Sequence, residues 1–530
     1  MTAPWWQTGV IYQIYPRSFQ DTNGDGIGDL KGIERRLDYL ASLGVDAIWI
    51  SPIYPSPMAD FGYDIVDYCG VDSCFGALAD FDELLVQAHA RGLKVLLDFV
   101  PNHTSERHPW FAESRSSRDN PKRDWYIWRD PTPDGGPPNN WISDFGGSAW
   151  EWDEATGQYY YHAFLKEQAD LNWRNPAVQA AMYDVMRFWF ARGADGFRID
   201  VLWHMVKAVD FTDNPPNPNY QPEMGDMHRL LQLHSTDQPE VHGIAAEMRA
   251  IADSYGVGER LLIGEIYLPV DRLMHYYGRE RAGVHLPFNF QLIDAPWEAR
   301  SLAKLIADYE AALPPGGWPN WVLGNHDRPR IATKHGQAQA RVAAMLLLTL
   351  RGTPTLYYGD ELGLSDVTIP VAQVLDPREL REPGLGLGRD PVRTPMPWDR
   401  NENAGFTTAR PWLPLNADWP TRNVARMAEE PHSILTLYRR LLAARRTRLA
   451  LSIGGFALLD AEGDVLAYER RHKTERLIVA LNLGGRPHRL KLPDWASDCR
   501  ALLSTIADAA PARDGALLLR GNEGVILTPH

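Results

Sequence analysis

Short apolar stretches alternate with amphipathic ones through the first hundred residues. Residues 9–16 (GVIYQIYP) predict a buried strand. Residues 30–43 place Ile33, Leu37, Leu40 and Leu43 on one helical face and stop at Gly44, which predicts a helix. Residues 45–50 (VDAIWI) predict a second strand, 80–91 a second helix ending at Gly92, and 93–100 (LKVLLDFV) a third strand. Strands this short and this continuously apolar, separated by helices, belong to a parallel sheet covered on both faces.

The rhythm breaks at residues 104–171, which are rich in Trp, Pro, Asp, Gly and Asn and show no helical period. An insertion after the third strand, large enough to be a small domain, is expected there. Regularity returns with Asn175 as N-cap, Pro176 at the first helical position and Gly193 after Arg192. Further strands are predicted at 194–199, 260–266, 285–290, 320–324 and 353–358, and helices at 300–312, 337–350 and 433–445. Eight strands followed by helical or loop material predict an α/β protein built on a (β/α)8 TIM barrel. A doubly wound sheet would carry a Gly-rich phosphate turn after its first strand, and this sequence has none there. Past Arg446 the alternation shortens, as at 464–471 and 475–483, which predicts a C-terminal antiparallel β-sandwich domain. The expected division is a barrel from 1–103 and 172–446, an insert from 104–171 and a β domain from 447–530.

Composition narrows the partners. The 530 residues carry a formal charge of -14, which disfavours nucleic acid and anionic membrane and suits a small neutral molecule. The longest apolar run, 343–350, is too short to span a bilayer. The N-terminus lacks a basic stretch followed by an apolar one, so no signal peptide is expected. Cys69, Cys74 and Cys499 offer no disulfide framework, which fits a reducing compartment, with the cytoplasm as default. Six tryptophans between Trp110 and Trp152 lie among turn-forming residues and are expected to offer exposed faces for stacking on sugar rings.

Barrel proteins gather their chemistry at the C-terminal strand ends. Here those ends carry Asp98, Asn102 and His103, then Arg198 and Asp200, then Glu265, then His326 and Asp327. Besides Asp98, three carboxylates, two histidines and an arginine at one mouth suit glycosidic cleavage, which needs one carboxylate at the anomeric carbon and one acid at the leaving oxygen. Arg198 lies two residues before Asp200, on the same strand face, and is expected to keep Asp200 ionised. Glu265 has no such neighbour in sequence and is expected to be the carboxyl with the raised pKa.

DFVPNH (98–103), GFRID (196–200), GEIY (264–267) and GNHDRPR (324–330) resemble the four signature segments of the α-amylase family of glycoside hydrolases. VIYQIYPRSF, QADLNW (168–173) and RTPMPW (393–398) resemble its α-glucosidase and oligo-1,6-glucosidase branch. The resemblance implies Asp200 as nucleophile, Glu265 as acid/base and Asp327 as transition-state stabiliser. It implies that His103, Arg198 and His326 hold the glucose and the nucleophile, and that Asp60, Tyr63 and Arg393 contact the terminal glucose. Phe145 and Phe164 are expected to wall the pocket from the insert. The implied activity is a retaining, exo-acting α-glucosidase without organic cofactor, acting as monomer or homodimer. Glucosyl transfer or sugar isomerisation through the same intermediate is the alternative. Val201, following the nucleophile, implies activity on α-1,6 bonds. DTNGDGIGD supplies Asp21, Asn23, Asp25, Ile27 and Asp29 at alternate positions, like the start of an EF-hand loop, although position twelve is Gly32. The branch implies a structural Ca²⁺ there.

Overall fold

A computed structural model describes residues 3–507, 512 and 515–529. Eight parallel strands form the central sheet: β1 (Ile11–Ile14), β2 (Ala47–Ile50), β3 (Lys94–Phe99), β4 (Gly196–Ile199), β5 (Leu261–Gly264), β6 (Leu286–Pro287), β7 (Asn320–Val322) and β8 (Thr353–Tyr357). They run in the spatial order β6-β5-β4-β3-β2-β1-β8-β7. A single parallel bridge, Asn289 to Trp321, joins the two edges and closes the barrel. All eight strands fall within the predicted segments, trimmed by one to three residues at their ends for most of them.

Strand alternation divides the apolar residues into two sets. Ile11, Ala47, Trp49, Leu96, Leu261, Ile263, Leu286 and Val322 pack together as the barrel interior. Tyr12, Ile48, Leu97, Phe197 and Leu262 face the surrounding helices in the larger outer core. The helix Pro176–Arg192 matches its prediction, with the Asn175 side chain accepting from Ala177 N and Gly193 ending it at a φ of 112°.

Two helices differ from expectation. Residues 30–43 form two helices, Leu30–Arg35 and Leu37–Leu43, broken at Arg36 (φ -102°, ψ 5°). The Arg36 guanidinium bonds Gln20 Oε1 and lies 4.0 Å over the Trp398 ring, anchors that come from distant segments. The apolar stripe survives the break, since Ile33, Leu37, Leu40 and Leu43 are all buried. The helix expected at 337–350 starts earlier, at Ile331, and kinks at Gly336 (φ 81°).

The insert is anchored at its base by antiparallel pairing of His103–Ser105 with Gln168–Asp170. It also holds a helix, Pro109–Ser116, capped by the His108 side chain, where no helical period was expected. Its tryptophans are not a sugar platform. Trp128, Trp141 and Trp150 are buried, Trp110 and Trp125 pack edge-to-face at 4.9 Å, and Trp152 alone of the six is largely exposed. A segment with strands of only two to four residues cannot layer aliphatic side chains, so large rings fill its core. That core, built on Trp141, Trp150 and Tyr161, reaches the loop after β4 through Phe211, whose ring is 5.4 Å from Trp141.

At the C-terminus five antiparallel strands (Gly455–Asp460, Val465–His472, Glu475–Asn482, Cys499–Ser504, Gly524–Pro529) form one sheet. The antiparallel pair His488–Lys491 and Ala516–Leu519 forms another, with Val465, Ile478, Leu490, Leu517 and Val525 sharing one core.

Trp141→Ala should lose about 3–5 kcal/mol of stabilisation, the usual range for truncating a buried large ring. The expected result is a lower Tm together with a lower kcat, because the same core holds the loops at the barrel mouth. Differential scanning calorimetry and turnover assays check both.

Candidate active site

Inward positions are apolar low in the barrel and turn polar at its C-terminal end. Register sets Asp98 on β3 beside Arg198 on β4, and Gln13 on β1 beside Trp49 on β2. Asp200 and Glu265 follow β4 and β5 directly. Arg198 is 1% exposed and bonds all three neighbouring carboxylates: Asp98 Oδ1 at 2.8 Å, Asp200 Oδ1 at 2.6 Å and Glu265 Oε2 at 2.7 Å.

This changes the electrostatic expectation. Glu265 lacks a cation in sequence but shares Arg198 in space. Burial is the largest effect on Asp200 and raises its carboxyl well above the ordinary range, with Arg198 opposing and Glu265 adding to the rise. Burial raises Glu265 as well, again against Arg198. One cation set against adjacent buried carboxyls leaves Asp200 and Glu265 as a pair suited to hold one proton between them.

Val201 links the two. Its φ of 36° is left-handed, which costs a β-branched residue about 1–3 kcal/mol. That turn aims Val201 N at Glu265 Oε2, 2.8 Å away.

A second cluster faces the first. Asp327 Oδ1 meets Arg393 Nη2 at 2.8 Å and Arg389 Nη1 at 3.5 Å. Burial opposes its ionisation, but His326, Arg393 and Arg389 outweigh that and hold it far below the ordinary carboxylate range. Burial holds His326 well below the ordinary imidazole range, and its Nε2 lies 3.3 Å from Asp327 Oδ2. Tyr63 stacks on His326 with ring centroids 5.5 Å apart. Asp60 is buried and bonds Arg389 Nη2 at 2.6 Å, while the same guanidinium grips Asp376 at 2.6 Å. Arg393 reaches His326 O and Asp327 rather than Asp60.

Phe164 lies 5.2 Å from His103 and 6.1 Å from Phe145, and Arg389 sits 5.0 Å over the Phe145 ring. Arg381 donates to the Phe145 and Gly146 carbonyls, tying the loop after β8 to the insert. The eleven expected substrate-site and reacting residues therefore meet in two facing clusters. Sequence reasoning missed Arg389 and Asp376. Arg389 lies four residues before Arg393, just outside the RTPMPW motif, and proximity to that motif is the one signal that pointed to it. Asp376 lies in no motif.

The five expected metal ligands share one loop. Asp21 accepts from Asn23, Gly24 and Gly26 N–H groups, Asp25 from Ile27 N, and Asp29 from Thr22 and Gly32 N. Among the described residues no three His, Cys, Asp or Glu side chains gather closely enough to hold a metal ion. The donor set is oxygen-only, and Asp21 and Asp29 are buried with backbone N–H and hydroxyl partners. The residues thus fit a hard cation in chemistry, provided that the carboxylates turn away from the loop backbone.

An eight-stranded barrel with a buried carboxyl pair bridged by one arginine, and an ionised carboxylate opposite, is the framework of a carboxylate-based glycosidase. The chain belongs to the α-amylase family: the alpha amylase, catalytic domain pattern matches residues 13–454. The oligo-1,6-glucosidase of Heyndrickxia coagulans is 41% identical over 531 aligned residues, covering 92% of this chain and 94% of that one. A probable alpha-glucosidase of Rhizobium meliloti (strain 1021) is 42% identical, covering 92% and 91%. Among solved structures, the alpha-glucosyl transfer enzyme XgtA superimposes with a TM-score of 0.95 at 41% identity and full coverage of both chains. The trehalulose synthase MutB from Pseudomonas mesoacidophila MX-45 gives 0.90 at 36%, again with full coverage of both chains.

Beside the pocket wall, Asp144 accepts from Gln232 Nε2 at 2.7 Å and lies 3.5 Å from His204 Nε2. Burial pushes its carboxyl up to about 7 against the Gln232 bond. The unfolded chain releases this proton near pH ~3.9. Its stabilising contribution is therefore complete below about pH 4 and is lost as pH rises to about 7. Asp144→Asn, which mimics the neutral form, should gain on the wild type by about 1.4 kcal/mol per pH unit across that interval and level off above it. Melting curves at pH 4.5 and 8 test this; an equal Tm difference at both would contradict it.

Proposed function

We propose that the protein is a retaining, exo-acting α-glucosidase that releases glucose from the non-reducing end of small α-glucosides such as maltose, isomaltose and sucrose. The observation that carries this reading is the Asp200–Glu265 pair bridged by Arg198. Asp200 attacks the anomeric carbon as Glu265 gives its proton to the leaving oxygen, which yields a β-glucosyl ester. Water then gives a proton to Glu265 as its oxygen attacks the same carbon, Asp200 leaves, and α-glucose is released. Asp327, kept ionised by Arg393 and Arg389, stabilises positive charge on the ring between these states. His103, Arg198 and His326 orient the glucose, and Phe145 and Phe164 exclude water. Asp60, Tyr63 and Arg393 meet the terminal hydroxyls. The Asp60–Arg389–Asp376 network supports a pocket blocked behind that sugar, which admits a chain end and not a chain interior.

A second reading is favoured by the solved neighbours, one an alpha-glucosyl transfer enzyme and another a trehalulose synthase. A sugar hydroxyl replaces water at the ester, with the same residues acting. Support for Ca²⁺ at Asp21, Asn23, Asp25, Asp29 and the Ile27 carbonyl comes from the oxygen-only donor set and the buried carboxylates. The free thiols of Cys69, Cys74 and Cys499 favour the cytoplasm, with the protein as monomer or homodimer. Among the described residues no helix is long and apolar enough to cross a membrane.

Incubation with maltose, isomaltose, sucrose and starch, followed by NMR, tests linkage, anomer and transfer together. First-formed α-glucose is expected, with starch a poor substrate; first-formed β-glucose would overturn the assignment. Asp200→Asn should abolish turnover with the fold intact. Glu265→Gln should lower kcat/KM on disaccharides by about 10²–10⁴-fold and by less on aryl glucosides, whose leaving groups need little protonation. Val201→Thr should move the preference from isomaltose toward maltose by about 1–3 kcal/mol in kcat/KM, the scale of one pocket group.

For the metal, chelator should lower the wild-type Tm and leave Asp21→Ala unaffected. Equal wild-type melting with and without chelator would remove Ca²⁺ from the account.

A further inference from the structure

Two carboxylates dictate where the proton on His326 sits. Tyr63 Oη lies 3.1 Å from Asp98 Oδ2 and 2.7 Å from His326 Nε2. Asp98 also receives Arg198 on one oxygen and Trp49 Nε1 on the other, so it acts here as an acceptor. The single Tyr63 proton therefore goes to Asp98, and the phenol oxygen turns a lone pair toward His326. Nε2 must then carry a hydrogen. Asp327 Oδ2, 3.3 Å from the same nitrogen and able only to accept, demands the same.

Burial keeps the ring neutral, so with a hydrogen on Nε2 the other nitrogen, Nδ1, is bare. His326 is 1% exposed, and its Nδ1 faces Gln13 rather than bulk solvent. A donor has to come from the protein. Gln13 Nε2 stands 2.8 Å from Nδ1, on an inward position of β1 that is fully buried, with Ser51 Oγ 3.3 Å from the same amide nitrogen.

We propose that Gln13 is a positioning residue that holds His326 in its neutral Nε2–H tautomer, aiming that N–H at Asp327 and the glucose site. The role of the aimed N–H rests on the reading under Proposed function; the tautomer does not. The chain of bonds runs from Gln13 through His326 and Tyr63 to Asp98 and Arg198, and so reaches Asp200 from the far side of the barrel. The alternative is that Gln13 merely fills space between strands.

Groups that face His326 and bear on its titration are Asp327 beside it, Arg393 and Arg389 from the loop after β8, Arg198 from β4, Tyr63 after β2, and Tyr15 after β1. Gln13→Glu keeps the shape but can only accept, so Nδ1 gains a proton while Nε2 keeps its own, and the ring becomes an imidazolium. Gln13→Met keeps the bulk and removes the donor.

The experiment is ¹⁵N NMR of histidine-labelled full-length protein at pH 7, with His326→Gln identifying the signal, alongside kcat and KM against pH on isomaltose. The wild type is expected to show the neutral Nε2–H form. Gln13→Glu is expected to show the doubly protonated form, with kcat down at least tenfold near neutrality and a pH profile displaced from that of the wild type. Gln13→Met is expected to lower kcat about tenfold with KM changed less than twofold. A wild-type Nδ1–H signal would overturn the proposal, and so would a Gln13→Glu variant with the wild-type spectrum and pH profile. If Gln13→Glu does not fold, the wild-type spectrum and the Gln13→Met kinetics decide. Failure of the wild type to release glucose would remove the proposed function and leave the tautomer measurement standing.

Discussion

Arg198 holds Asp98, Asp200 and Glu265 on one guanidinium at the end of β4, and the rest of the molecule is arranged around that contact. Taking one cation and several carboxylates out of water is costly, and the cost is met only when every acceptor keeps a donor. Trp49 and Tyr63 supply Asp98, and the strained Val201 turn supplies Glu265. The charge deficit that remains is what gives the Asp200–Glu265 pair a proton to hold, as a double displacement requires. A second cation placed there would ionise both groups and remove the acid.

The facing cluster is the electrostatic opposite. Arg389 and Arg393 outbid burial at Asp327 and bring Asp376 down to about 2. The two carboxylate groups thus sit on opposite sides of the ordinary range, because one set is short of cations and the other is well supplied. The walls come from loops that are separate in sequence. The insert brings Phe145 and Phe164, the loop after β8 brings Arg389, and Arg381 fastens that loop to the insert. The aromatic core of the insert packs large rings within a short-stranded segment and takes in Phe211 from the loop after β4.

Much of this was legible before any fold was seen. The eight strands, the Asn175–Gly193 helix boundaries and the C-terminal sheets follow from period, capping residues and strand ends, which are local signals. The carboxylates expected to react were legible because each follows a strand within a short motif. What was not legible depends on partners far along the chain. The break at Arg36 is set by Gln20 and Trp398, and the burial of the insert's tryptophans depends on their packing against one another and Phe211. The expectation that Arg198 keeps Asp200 ionised failed for the same reason, since that guanidinium is shared with Glu265, whose raised carboxyl was anticipated without its partner. The cation stands 67 positions before Glu265 and meets it only across adjacent strands.

The sequence by itself determined the barrel, the insert, the terminal β domain and the identity of the groups at the mouth. Periodicity and strand-end position are written within ten or so residues of one another. Only the tertiary structure decided how charge is shared: that Arg198 serves three carboxylates, that Arg389 bridges Asp60 and Asp376, and that Gln13 meets His326. Coulomb and hydrogen-bond energies depend on distance and burial, and neither quantity exists until the strands are side by side.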